Sequence, residues 1–478
     1  MNFRSNAIAM LTGTVMAQAL PLAASPLLTR LYSPEAFGLQ TLFMGLAASL
    51  AVLATCRMDL AVVLPEQEAE AGSLAGFIFC TAIATAVLAC LVVPLAGLLT
   101  AQSLPASWML LLPLMVCTIA LYQLSLGFAS RRREFRKVAQ ASVGNQAAYV
   151  ASAIALGFAG AWAQALAFAK VVGQLLGTGL LGRASAANLS AAARGFSWQR
   201  SVAAARKYRQ FLVFNTPYSL VGSVARDAPV YTFSALAAVG AAGFFGLART
   251  VLLAPTLLAS NAFSQVFFRE AVALKGTPRL EQLTLSLLRF GLVALAPLFA
   301  FCAVWGDAAF VTLFGENWRV AGVFAMVLAP AAWMSVQTGW PERLFEVNMR
   351  QGVSFGVQLG SDAVTACAFA ATYLLTRDAV TAVAVFAVCN VAYHHVYLAA
   401  IFRVSGFAGR SLAGALAAGW GVFAACCAAL ALLRMQTGAQ GMAGWVLALV
   451  LAAAVAAVIG WRSARQGLLR GAATGEAT

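Results

Sequence analysis

The sequence predicts an all-α, polytopic membrane protein with fourteen transmembrane helices. Three observations lead there. Hydrophobic residues make up 62% of the chain and charged residues only 10%, too little charge to cover a water-facing surface of this length. The apolar residues fall in blocks of roughly 20 or more, the length that crosses about 30 Å of hydrocarbon. No polar stretch between blocks is long enough for a folded domain, the longest running from Arg183 to Arg209.

In chain order, the first helix core covers 6–29. Arg4 precedes an apolar run from Ala7 to Leu28 that is too long for a signal-peptide core and has no clean cleavage site, so it reads as a retained helix. Cores follow at 36–56, 71–99, 105–129, 138–160 and 161–182, the last two divided near Gly160. After the polar stretch come 210–236 and 240–268, both long and rather polar for spans. The chain continues through 283–305, 319–341, 351–375 and 379–402, and closes with 411–433 and 442–461. Prolines such as Pro21, Pro217, Pro229 and Pro255 punctuate these helices, as membrane helices tolerate.

The net charge of +15 would point to nucleic acid in a soluble protein. In a membrane protein it is expected from topology, because Lys and Arg collect in cytoplasmic loops. With the N-terminus inside, only Arg30, Arg319, Arg377 and Arg434 fall on the periplasmic side, and only Lys170, Arg226 and Arg249 fall within helices. The other 24 of the 31 basic residues are cytoplasmic, Arg57, Arg350 and Arg403 among them. An early error of one helix would put the later clusters on the wrong side. The reading is therefore an inner-membrane protein with both termini cytoplasmic.

An internal echo divides the fourteen helices. Pro21 followed by Phe37-Gly38-Leu39 recurs as Pro229 followed by Phe245-Gly246-Leu247, at an offset of 208 residues. This superposes helices one and two on seven and eight. Six helices separate the copies, so both enter from the same side, as in parallel repeats about an axis along the membrane normal. The expected organisation is an N-lobe at 1–182, a cytoplasmic linker at 183–209 and a C-lobe at 210–402. Residues 403–478 then supply two additional helices and a cytoplasmic tail. The two six-helix lobes are expected to be pseudo-symmetric about a central cavity.

Ionisable groups in a bilayer are expensive and usually functional. Lys170, Arg226, Asp227, Arg249 and Asp362 fall inside predicted helices, accompanied by amides such as Asn145, Gln146 and Gln174. Neighbours in sequence diverge by about 100° on a helix, so Arg226 and Asp227 are expected to face different partners. The charges could simply pair between helices, but three bases against two acids leave a positive excess. Arg30 and Arg57, at the ends of the first helix pair, add to it or snorkel to the interface. A cationic cavity fits an anionic cargo, and the arginine fork suits phosphate. The candidate substrate-binding residues are thus Arg249, Arg226, Lys170, Arg30 and Arg57, and Asp227 and Asp362 are candidates for ion coupling.

Other chemistry finds no support. There is no Walker motif, no cofactor motif and no metal-ligand spacing among the nine cysteines. His394 and His395 are adjacent on one helix and point apart. The acidic run from Glu66 to Glu70 has no histidine nearby and reads as a solvated turn.

Several segments carry a resemblance. Leu31-Tyr32-Ser33-Pro34-Glu35-Ala36-Phe37-Gly38 looks like the junction of helices one and two in bacterial polysaccharide flippases. Arg57-Met58-Asp59-Leu60-Ala61-Val62-Val63-Leu64-Pro65 resembles their following segment, commonly Arg-Tyr-Glu-Leu-Ala-Ile-Val-Leu-Pro, with Met58 in place of an aromatic and Asp59 in place of a glutamate. Phe214-Asn215-Thr216-Pro217 and Gly243-Phe244-Phe245-Gly246-Leu247-Ala248-Arg249 are similar to the openings of helices seven and eight in the same group. The family is the Wzx-type flippases of the MOP exporter superfamily, which also holds lipid II flippases and MATE drug exporters. The resemblance runs through most of residues 1–355.

It implies translocation of undecaprenyl-diphosphate-linked oligosaccharide from the cytoplasmic to the periplasmic leaflet, for surface polysaccharides such as O-antigen. The partners it implies are that lipid-linked substrate, membrane lipids and other membrane proteins of polysaccharide assembly, without nucleic acid. Three alternatives stand beside it. A lipid II flippase is compatible with the sequence. A MATE-like drug or cation antiporter would carry acids in early helices, and none of helices one to six contains one. A membrane glycosyltransferase or polymerase would be an enzyme, and the large periplasmic loop typical of such proteins is missing here.

Overall fold

The computed structural model describes residues 3–99, 104–160, 162–437 and 442–465. Arg470, counted above on the cytoplasmic side, lies outside the described residues. Among the described residues the regular structure is entirely helical. The chain forms two compact units, 1–246 and 247–478.

The first unit contains α1 (Phe3–Leu31), α2 (Pro34–Thr55), α3 (Met58–Ala61), α4 (Glu68–Leu99), α5 (Trp108–Arg131), α6 (Phe135–Phe158) and α7 (Ala165–Ala184). Then come α8 (Ala186–Arg194), α9 (Trp198–Lys207), a π-helical turn (Phe211–Asn215), α10 (Thr216–Arg226) and α11 (Ala228–Ala235). Helix α12 (Val239–Ala273) begins in this unit and continues into the second. The second unit holds α13 (Pro278–Phe314), α14 (Arg319–Gly339), α15 (Arg343–Val347), α16 (Gln351–Thr376), α17 (Ala379–Ser405), α18 (Gly409–Thr437) and α19 (Met442–Arg465). Among the described residues, ten helices are long and apolar enough to cross a bilayer.

Every predicted core overlaps a helix, and the largest difference is at 210–236. That segment is a π-helical turn followed by two short helices broken at Asp227. Pro217 and Pro229 each open one of the short helices. Proline lacks the N–H that would continue the preceding helix and fixes φ for the first turn of the next. Helices α8 and α9 occupy most of the 183–209 segment, and both pack on α4. Small residues face α4 there: Ser201, Ala204 and Ala205 of α9 are buried, at the spacing of one helical face.

Helix α2 is the spine of the first unit. Ser33 caps it by accepting the Ala36 N–H, and Pro34 sits in its first turn. It packs against α4, α5, α7, α10 and α11. Its N-terminal half also meets the start of α12. A Cβ on Gly243 would lie 2.0 Å from the Pro34 carbonyl oxygen, and one on Gly38 would lie 2.0 Å from the Val239 carbonyl oxygen. A Cβ on Gly246 would lie 2.4 Å from Thr41 Oγ1. The two glycines of the repeated Phe-Gly-Leu motif therefore both sit at one close helix crossing, where small residues admit backbone-to-backbone contact.

Helix α2 ends in two consecutive left-handed residues, Cys56 at φ 47° and Arg57 at φ 54°. They turn the chain into α3 and the 62–67 turn, which Arg131 of α5 then clamps. Its guanidinium donates to the carbonyls of Val62 at 3.0 Å and Pro65 at 2.6 Å, and to Glu68 Oε1 at 3.1 Å. The acidic run is likewise engaged, because Glu68 also accepts from Asn188 of α8 at 2.9 Å and Glu70 pairs with Lys207 of α9 at 2.5 Å. Two of its three carboxylates thus anchor the linker helices, while the third, Glu66, is exposed.

In the second unit α13 packs on α14, α18 and α19, and α17 on α14 and α16. Trp333 stacks on Phe423 at 4.8 Å and donates to the Leu292 carbonyl at 3.1 Å. Arg434 holds Asp307 through two hydrogen bonds of 2.9 and 2.7 Å and also donates to the Val304 carbonyl. The adjacent histidines point to different helices, His394 to Thr338 of α14 at 2.9 Å and His395 to Trp420 of α18 at 2.9 Å.

Candidate functional site

Lys170 sits in the second turn of α7, within a span of 20 residues. Its ammonium lies 3.5 Å from the centre of the Tyr149 ring, on α6. Tyr149 is buried, and its hydroxyl accepts from Gln40 of α2 at 3.1 Å. The lysine thus rests on a π-face, where the ring quadrupole favours the cation. Among the described residues no carboxylate lies within 4.0 Å of it. A turn further along α7, Gln174 accepts from Asn145 of α6 at 2.9 Å and bonds Thr178. Close packing brings these helices together, since a Cβ on Gly173 would lie 2.6 Å from the Asn145 carbonyl oxygen. Three of the chain's helices therefore build a polar cluster with one unneutralised positive charge.

A second polar cluster occupies the other side of α2. Ser49 bonds Ser223 of α10 and Tyr231 of α11, each at 3.1 Å. Ser49 lies nine residues beyond Gln40, about two and a half helical turns, so the two clusters face opposite sides of α2. Beside Ser49 is a cavity of about 230 Å³ whose walls include Leu46, Leu50, Leu220 and Val224.

The other candidates are distributed as follows. Arg226 ends α10 and is exposed, whereas Asp227, in the break before α11, is only 8% exposed. The helix ending in Arg226 meets a different face of α2 from the one that carries the Lys170 cluster. Arg30 is exposed in the last turn of α1. Arg57 lies outside the long helices, 4.0 Å from buried Asp59. In the second unit, Arg249 on α12 and Asp362 on α16 are both half-buried.

Sequence reasoning picked out Lys170, Asn145 and Gln174, but not Gln40, Tyr149, Ser49, Ser223 or Tyr231. Tyrosines, serines and single glutamines are common in membrane helices, so one at a time they raise no signal. The signal for Gln40 would have been its isolation, as it is the only amide in α2.

Over residues 27–323 the sequence matches the family described as polysaccharide biosynthesis protein. No curated protein matches the sequence significantly. Among solved structures, the lipid II flippase MurJ in its inward closed conformation is similar with a TM-score of 0.73 and 10% identity, over 96% of this chain and 99% of that chain. An inward-facing multidrug resistance MATE family transporter of the MOP superfamily aligns with a TM-score of 0.56 and 15% identity, over 83% of this chain and 94% of that one. A Vibrio cholerae MATE transporter follows with a TM-score of 0.52 and 14% identity, over 84% and 95%. The fold is the one these transporters share.

Proposed function

The chain belongs to the polysaccharide biosynthesis protein family, and from that premise we propose that it is a flippase. It moves undecaprenyl-diphosphate-linked oligosaccharide from the cytoplasmic to the periplasmic leaflet by alternating access. The observation that carries the reading is Lys170, a base inside a span, seated on Tyr149 without a carboxylate within ion-pair distance. Such a charge is costly in a bilayer unless an anion visits it. A diphosphate supplies that anion, and the polyprenyl tail stays in the lipid. The match to the polysaccharide biosynthesis family supports a lipid-linked cargo over a soluble drug.

Arg226, Arg30 and Arg57 of the first unit and Arg249 of the second are the further bases whose loss we expect to slow translocation. Asp227 and Asp362 are the acids we assign to proton or sodium coupling, if an ion is used in place of the membrane potential. The potential itself supplies about 2.3 kcal/mol per charge per 100 mV. The proposal includes fourteen spans, lobes at 1–182 and 210–402, and both termini in the cytoplasm of an inner-membrane protein.

The test is complementation of a flippase-deficient strain. Lys170→Ala is expected to abolish surface polysaccharide at unchanged membrane levels, and Lys170→Arg to keep it. Full export by both Lys170→Ala and Arg249→Ala would overturn the cationic-site reading. A second reading, lipid II as cargo, is favoured by the fold match over 96% of the chain. Rescue of a strain depleted of its lipid II flippase, without rescue of polysaccharide export, would select it.

A further inference from the structure

In the second unit, α16 and α17 pack against each other across a two-residue turn, and a cavity of about 800 Å³ lies at their Arg350 and Arg403 ends. Arg350, Val353 and Val357 line it from α16, and Val396, Ala400 and Arg403 from α17. Each set recurs at three or four residues, so each is one helix face. Two of these valines are exposed, Val353 at 38% and Val396 at 53%. A second groove, of about 470 Å³, lies on the adjacent face of α17, against α18. The two grooves share Ala399 and Arg403. Arg403 thus heads both, with small side chains below it that leave the ridge of α17 low.

The charges at this end are unbalanced. Arg350 opens α16, Arg403 is in the last turn of α17 and Arg410 is in the first turn of α18. Among the described residues none of the three has a carboxylate within 4.0 Å, whereas Arg319, Arg343 and Arg434 of the same unit hold Glu316, Glu346 and Asp307. The acids nearby are engaged elsewhere, Glu346 with Arg343. Glu281 accepts the Ala408 N–H at 2.9 Å in the α17–α18 turn, which spends one of its oxygens on the backbone.

Two arginines above two apolar grooves match a ligand with a phosphate head and two hydrocarbon chains. We propose that this is a binding site for an anionic diacyl phospholipid. Its phosphate lies on Arg403 and Arg350, with one acyl chain in each groove flanking α17. The single chain of a polyprenyl phosphate would leave one groove empty. The site needs only that the chain spans a bilayer, so it stands or falls separately from the flippase reading.

The experiment uses the full-length protein in phosphatidylcholine nanodiscs doped with phosphatidylglycerol, with bound lipids counted by native mass spectrometry. The wild type is expected to retain phosphatidylglycerol selectively. The double variant Arg350→Gln/Arg403→Gln is expected to lose affinity about 30-fold, roughly fivefold per arginine near a lipid phosphate. Arg350→Lys/Arg403→Lys should keep most of it, and Arg377→Gln, at the other end of α16, should change nothing. Ala399→Trp, which fills the ridge with both arginines intact, should also weaken binding. Retention by the Gln double variant equal to wild type would overturn the proposal. So would binding of lysophosphatidylglycerol or of a polyprenyl phosphate as tight as that of the diacyl lipid.

Discussion

Gly243→Ala tests the closest helix contact in the first unit. The new Cβ would stand 2.0 Å from the Pro34 carbonyl oxygen and 2.9 Å from the Gly38 nitrogen. Both are backbone atoms, so no rotamer change relieves the clash, and α2 and α12 must separate by more than about 1 Å to restore ordinary contact. Overpacking of this kind costs about 1–3 kcal/mol, and the upper end applies where backbone meets backbone. Alanine returns about 1 kcal/mol of helix propensity, so the net loss is about 2 kcal/mol. For a unit of this size that is a fall of about 4–8 °C in melting temperature. Gly240→Ala is the internal control, because its Cβ would come closest to Glu35 Oε1, at 3.0 Å, the end of a flexible side chain, with Pro34 Cβ at 4.0 Å. It should melt at or above wild type. The assay is thermal unfolding of the purified protein in detergent. Equal melting temperatures for the two variants would refute the crossing as the tight element.

Three further outcomes follow from other contacts. Arg131→Ala should cost about 3 kcal/mol, since it strips charge-assisted hydrogen bonds from the 62–67 turn, and it should raise proteolysis in that turn at unchanged cleavage elsewhere. Arg434→Met should cost about 2–3 kcal/mol by leaving Asp307 unpaired, and adding Asp307→Leu should recover most of the loss in the same melting assay. Asp378 caps α17, and the Thr381 hydroxyl together with the Thr381 and Val380 N–H groups holds its carboxyl below the ordinary value. A depressed carboxyl stabilises above the unfolded pKa and loses that contribution as pH falls through the folded one. Asp378→Ala should therefore cost about 1 kcal/mol at neutral pH, and its gap from wild type should close as the solution is acidified below the usual aspartate range.

Helix positions were legible because the bilayer demands long apolar runs, a constraint written directly in composition. The breaks were less so. Pro217 and Pro229 were visible as prolines, but hydropathy across 210–236 does not register a lost N–H. Loop charges enter the sequence reading as a sum and not as individuals. Arg131 counts toward the expected cytoplasmic excess, yet its guanidinium holds four backbone or side-chain acceptors. Glu68 and Glu70 looked solvated because their partners, Asn188 and Lys207, are more than a hundred residues away. Lys170 was found because a charge in an apolar run is conspicuous. Tyr149 and Gln40 were not, because a cluster drawn from three helices has no spacing in sequence.

The two carboxylates that grip α8 and α9 make the 186–207 segment a strut, not a string. It is fastened to the head of α4 at Asn188 and again at Lys207, and the π-helical turn begins four residues later. A tilt of α10 and α11 that pulls on residue 211 reaches α4 through this two-helix arm, first at the Lys207–Glu70 pair. Replacing that arm with a flexible glycine–serine segment of equal length would keep the chain connected while disconnecting the two movements.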